Sequence, residues 1–258
     1  MNEKEEQFIR ITSLLNAAVP VIKEVLEGFN EDKDVPLEIV VYHNILQRFY
    51  YCIKSIECLL HKFNSDTNYK FPIGLLVRNG LLDFIISGYL FEKGYRKGSF
   101  SSEFAKINHK FVSDKNKILQ TLRGNKTITP EEFQKELREL KSYFPDNFLS
   151  IDKNGTPQLK KDVNSIAPSK MAKNLKDHSD VYFLYDYYSQ YEHYGTFSKI
   201  ILDGHAEYDF DKLKVAFCYI FLGIILCLDI LKASKDKKAN IEKIWDEIRA
   251  MPELCRQP

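Results

Sequence analysis

The chain has 258 residues, 44% of them hydrophobic, with 37 Lys or Arg against 36 Asp or Glu and a formal charge of +1. That apolar share suffices for a sizeable core, and so even a charge balance excludes a global field drawing the whole surface to nucleic acid or an anionic membrane. The first residues, Met-Asn-Glu-Lys-Glu-Glu, are acidic and polar and do not read as a signal peptide.

Residues 4–30 read as an amphipathic helix with Phe8, Ile11, Leu14, Leu15, Ala18, Val21, Ile22, Val25 and Leu26 on its apolar face. Pro20 is expected to kink or split it. After a charged turn, Pro36 opens a second helix over 37–63. Its Ile39, Tyr42, Leu46, Phe49, Ile53, Ile56, Leu60 and Phe63 recur at spacings of three and four. That is a heptad-like seam for another long helix.

A third helix, about 71–92, is apolar nearly all round and should be central. Gly74, Gly80 and Gly88 each weaken it by about 1 kcal/mol relative to Ala. Close approach of other helices is the expected compensation. Residues 93–126 are basic, with nine Lys or Arg against Glu103 and Asp114. Within them a fourth helix, 101–123, fits Phe104, Ile107, Phe111, Ile118 and Leu122. Thr129-Pro130-Glu131-Glu132 is a helix start with Thr129 as N-cap and Glu132 at the capping-box position.

Pro145 to Pro168 has little periodicity and reads as a long loop. A short helix follows from Pro168 to about His178. A tyrosine-rich helix, 179–194, has Ser179 as its cap and Gly195 as its stop. Two last helices span 209–234 and 238–250, the second carrying Trp245. The most apolar run, Val215 to Leu228, has 14 residues, short of the ~20 that cross a bilayer. It reads as a buried core helix, so no membrane partner is expected. No segment reads convincingly as a strand. The five cysteines, Cys52, Cys58, Cys218, Cys227 and Cys255, have no CxxC pair and read as reduced core thiols of a cytoplasmic protein.

Six of the 15 tyrosines fall within 13 residues, Tyr182 to Tyr194. In that helix Tyr185, Ser189 and His193 stand at i, i+4 and i+8 on one face. Arg78 is the second informative position, because its neighbours one turn away are Gly74, Leu75, Leu81 and Leu82. An arginine there is either buried and paired or beside a groove. Asn79, Asp83 and Ser87 make a polar stripe at i, i+4 and i+8. One reading is a wet face with Arg78 reaching its edge. The other is a polar pocket between helices with Arg78 as anion holder. His193, with an ordinary pKa near neutrality, is the best candidate for proton transfer, flanked by Glu192 and Tyr194. No histidine follows a Glu at Glu-x-x-His spacing, and HExxH, a Gly-rich phosphate loop and zinc spacing are absent from the sequence. No metal and no cofactor is expected.

An arginine on an apolar helix followed by Tyr-x-x-x-Ser-x-x-x-His resembles the DUF5677 family of uncharacterised bacterial helical proteins. Arg78 and Asp83 match the first part of its pattern. Tyr185, Ser189 and His193 match the second, then Gly195 and Thr196. The acidic residue falls at Arg+5 instead of Arg+4, and Tyr188 replaces the aliphatic residue before Ser. The resemblance covers about residues 40–230 and implies a bacterial helical protein without an assigned activity. A looser similarity is to the HEPN helical domains, many of them metal-independent ribonucleases or toxins, marked by Arg-x(4–6)-His on one helix, although no arginine here has a histidine at that distance.

These readings converge on an all-α, single-domain bundle of about six to eight helices, 1–258, with a peripheral excursion over 126–167. Arg78, Asp83, Tyr185, Ser189 and His193 are expected to share one polar cluster, with Asn79 and Glu192 beside it. The leading function is a cytoplasmic binding or interaction module. The alternative is a HEPN-like ribonuclease or toxin of bacterial defence, in which Arg78 holds phosphate, His193 is general acid/base and residues 93–126 track RNA. The heptad seam and Trp245 also suggest a homodimer.

Overall fold

The computed structural model describes residues 3–30, 35–63, 69–142, 149–151, 153, 157–159, 165–192 and 206–253. Among them are nine α-helices: α1 (Glu3–Glu27), α2 (Leu37–Phe63), α3 (Lys70–Tyr89), α4 (Phe100–Gly124), α5 (Pro130–Ser142), α6 (Pro168–Ala172), α7 (Val181–Ser189), α8 (Ala206–Ile230) and α9 (Lys235–Arg249). A π-helical turn, Leu90–Tyr95, and a 3-10 turn, Gln190–Glu192, are added to these. The all-α class stands, but the six to eight helices expected are too few. Short pieces make the excess: α6 has five residues, and the tyrosine-rich segment is α7 followed by the 3-10 turn.

Two antiparallel strands were also not expected. Leu149–Ile151 (β1) pairs with Pro157–Leu159 (β2), Leu149 facing Leu159 and Ser150 facing Gln158. Three residues per strand are too few for an alternating pattern to show in a sequence.

The chain divides into two compact units, Met1–Tyr89 with Ala172–Pro258, and Leu90–Met171. In the first, α1 buries Phe8, Ile11, Leu15, Ala18 and Ile22. It runs unbroken through Pro20, which is exposed, as is Asn16, whose carbonyl loses its helical partner there. Water can serve that carbonyl, so the helix need not split. Helix α2 has the expected bounds, and Tyr42, Leu46, Phe49, Ile53, Ile56 and Leu60 of its seam are buried. Full burial of such side chains contributes about 1.5–3 kcal/mol each. Their packing partners are α1, α3 and α8 of the same chain, so the seam is filled from within.

Helix α3 packs against α2, α7 and α8. Its glycines are what let it do so. A Cβ on Gly74 would lie 2.8–2.9 Å from three ring atoms of Tyr191. On Gly80 it would meet Ile220 at 2.7 Å and Cys52 Sγ at 3.2 Å, and on Gly88 it would meet Leu175 at 2.7 Å. Each glycine therefore admits a different neighbour to the backbone, as the sequence suggested. Helix α8 buries Phe217, Ile220, Phe221 and Ile224 completely, and α9 closes over it with Ile241, Ile244 and Ile248. Trp245 Nε1 donates to the Cys218 carbonyl at 3.1 Å. The buried Lys214 ammonium donates to the Met251 carbonyl at 3.1 Å, just beyond α9. Two helical stretches, Lys70–Tyr95 and Phe210–Ile230, are long and apolar enough to cross a membrane, and 67% of each apolar window is buried inside the fold.

In the second unit, α5 starts with the expected capping box. Glu132 N–H donates to Thr129 Oγ1 at 3.1 Å and Thr129 N–H to Glu132 Oε2 at 2.8 Å. Helices α4 and α5 share a small core of Leu119, Phe133 and Leu137, with Ile128 against it. Ile118, assigned to the inner face of α4 from its spacing, is exposed, and Leu119 points inward instead.

Candidate functional site

A helix turns about 100° per residue. Gly74, Arg78 and Leu81 therefore share a face of α3, whereas Asp83, five residues beyond Arg78, lies about 140° round the helix from it. The structure follows that arithmetic. Arg78 faces α7 and Asp83 faces α2.

On the α7 side, Arg78 Nε donates to Ser189 Oγ at 3.1 Å and a terminal nitrogen to the Tyr185 hydroxyl at 3.2 Å. The guanidinium carbon also lies 5.2 Å from the centre of the Tyr185 ring, within cation–π range. Ser189 Oγ in turn donates to the Tyr185 carbonyl at 2.7 Å. Tyr185 and Ser189 are buried and Arg78 is half-buried. A longer contact, 3.5 Å, joins Arg78 to the exposed Asn79. The i, i+4 pair read from the sequence thus meets one guanidinium. Glu192 ends the 3-10 turn just beyond, its side chain outside the described part. His193, the proposed proton carrier, lies outside the described residues, as do Gly195 and Thr196.

Asp83 leaves this cluster for one that the sequence did not reveal. Its side chain is 3% exposed and accepts both arms of Arg48 from α2, Nε at 3.1 Å and a terminal nitrogen at 2.8 Å. Four residues on, Ser87 is buried; its hydroxyl donates to the Phe84 carbonyl and its own carbonyl accepts the Tyr42 hydroxyl at 2.8 Å. The stripe Asp83–Ser87 is thus an internal seam between α2 and α3, not a wet face. Arg48 is the residue that sequence reasoning missed. Its one signal is to be the sole arginine of α2, set directly before Phe49 of the seam.

Burial pushes the Asp83 carboxyl up to about 6, with Arg48 pulling the other way. Cys52 is pushed up to about 12, first by burial and then by Asp83, and Cys227 rises for the same two reasons. Such thiols are not nucleophiles at neutral pH. Cys58, expected in the core, is exposed; Cys255 lies outside the described residues.

A further bond stands at the residue directly before α7. Asp180 precedes it without capping it and instead accepts the Tyr219 hydroxyl at 2.6 Å. Ser179, expected as cap, takes no such role. Burial and then Asp180 hold the Tyr219 phenol well above its ordinary value. Tyr188 and Tyr191 are core residues, their rings 5.9 Å apart. With Phe8, Leu60, Ile73 and Phe210 they border a cavity of about 30 Å³. That is room for a water molecule, not a substrate. Among the described residues, no group of three His, Cys, Asp or Glu side chains could hold a metal ion.

Comparison with protein-family models, curated proteins and solved structures returned no match. Among the described residues the chain is helical but for one short strand pair, with polar and aromatic contacts between helices that are consistent with a binding or interaction surface.

Proposed function

We propose that this protein is a binding module in which Arg78, set by Tyr185 and Ser189, holds a small anionic ligand or an anionic group of a partner where α3 and α7 meet. The carrying observation is the orientation of the guanidinium. Two hydroxyls at 3.1 and 3.2 Å and one ring face orient it, and Arg78 is half-buried. An arginine already ordered loses less rotamer entropy on gripping a phosphate or carboxylate than one free on a surface. The proposal includes a cytoplasmic setting, supported by the burial of most of each apolar helical window.

Calorimetric titration with inorganic phosphate, sulfate, nucleotides and a short RNA tests the proposal, on wild type, Arg78→Lys and Ser189→Ala. Binding at millimolar affinity or better, weakened tenfold or more by Arg78→Lys, is expected, because a lysine cannot reproduce the fork. Absence of binding to all four probes, or equal binding by Arg78→Lys, overturns it. The same proteins assayed for RNA cleavage in a metal chelator address the ribonuclease alternative. Cleavage lost in both Arg78→Ala and His193→Ala would replace the binding-module reading.

A further inference from the structure

The Arg48–Asp83 pair has an uneven geometry. The carboxylate is buried, whereas 58% of the Arg48 side chain is exposed. An ionised carboxylate offers about four acceptor positions. Among the described residues, Arg48 fills two of them and supplies the one ion pair. The other groups facing Asp83 give no positive charge. Helix α2 adds the Cys52 thiol, which donates to the Leu76 carbonyl instead. Helix α8 adds the Cys227 thiol, fully buried. On its own helix, Asp83 has Asn79 and Ser87 one turn to either side. Helix α7 contributes Tyr185 and Ser189, both engaged by Arg78 on another face of α3.

A charge held this way pays most of its dehydration with one half-solvated partner. The neutral acid would cost far less in the same place.

We propose that Asp83 and Arg48 form a proton-operated latch between α2 and α3, closed while Asp83 is ionised and released when it takes up a proton. Release leaves the hydrophobic seam and the Tyr42–Ser87 bond in place. It frees a guanidinium that already stands at the surface. Burial pushes the folded carboxyl up to about 6, about two units above an exposed aspartate, which corresponds to roughly hundredfold tighter proton binding. Because the folded value is the higher one, the folded state holds more protons between about pH 4 and 6. The stability that Asp83 contributes therefore falls as pH rises through that window and is constant above it.

The test is an NMR titration of the full chain from pH 3 to 8, following the Asp83 carboxyl carbon and the Arg48 Nε–H signal. A midpoint near 6 for both is expected, with the Arg48 signal losing its protection from solvent exchange on the acid side. In Arg48→Met, the Asp83 midpoint should rise further, because a group that favours the ionised form is gone. Thermal unfolding of wild type against Asp83→Asn should show a gap that favours the variant at pH 7.5 and closes near pH 4. An Asp83 midpoint at or below 4, one unmoved in Arg48→Met, or an Arg48 signal indifferent to it overturns the latch. Should Asp83→Asn fail to fold, the wild-type and Arg48→Met titrations still decide the matter.

Discussion

Gly74→Ala is the most informative single substitution, because Gly74 lies one turn before Arg78 and under the ring that follows α7. The new methyl would sit 2.8 Å from Tyr191 Cδ1 and 2.9 Å from Cε1 and Cγ. Three contacts to one rigid, buried ring leave no flexible end to give way. The helix gains about 1 kcal/mol from replacing glycine. Overpacking a filled core costs about 1–3 kcal/mol. Moving the segment after α7 outward also strains two hydrogen bonds to a charged group, each worth about 1.5–3 kcal/mol. The net expectation is a loss of roughly 2–4 kcal/mol. Gly88→Ala is the internal control, since its methyl meets at 2.7 Å only the tip of the flexible Leu175; the gain in helix propensity should nearly offset it. Urea unfolding of both variants, with a cycle through Tyr191→Leu, measures this. Gly74→Ala/Tyr191→Leu should recover part of the loss, giving a coupling of at least about 1 kcal/mol. A Gly74→Ala variant as stable as wild type, or additive with Tyr191→Leu, would refute the packing argument.

Other outcomes follow from single contacts. Tyr42→Phe should cost about 1 kcal/mol by urea unfolding, for it removes a buried bond to the Ser87 carbonyl; an unchanged midpoint would mean the seam holds without it. Thr129→Ala should fray the first turn of α5 and lower stability by about 1 kcal/mol, read as faster amide exchange at Glu132. The backbone N–H and hydroxyl of Thr129 hold the Glu132 carboxyl below its ordinary value. Its contribution is therefore full above the unfolded value near 4.5 and is lost as pH falls through the folded one. The stability difference between wild type and Glu132→Gln should shrink in acid, and one that grew would reverse the sign of that coupling. Iodoacetamide under native conditions should modify the exposed Cys58 well ahead of the buried Cys52 and Cys227; equal rates would contradict the burial of the pair beside Asp83.

The sequence shows how far local periodicity reaches. Helix α2 could be bounded to the residue, because Pro36 and an unbroken seam mark both ends. Tyr185 and Ser189 could be put together because i, i+4 spacing is a property of one helix, and Arg78 could be singled out because apolar residues surround it. What failed was information held between helices. Asp83 was assigned to Arg78 by proximity in sequence, although five residues on a helix turn it away. Its true partner, Arg48, lies 35 positions earlier on another helix, where no spacing rule links them. The start of α7 was misread for a similar reason: Asp180, not Ser179, directly precedes the helix, and Tyr219 claims its carboxylate from α8.

Helix α3 is buried along most of its length, with only a narrow strip that includes Phe71 and Asn79 exposed, and that burial has consequences beyond the finished fold. Its neighbours arrive at very different times during synthesis. Helices α1 and α2 precede it, but α7 and α8, which receive Arg78 and cover Gly80, follow only after the whole of Leu90–Met171. At about 5–20 residues per second, the ribosome needs roughly 4–16 s to traverse that stretch. For those seconds the apolar flank of α3 is bare. The nascent chain should therefore be a client for a holding chaperone from the emergence of α3 until α8 leaves the tunnel.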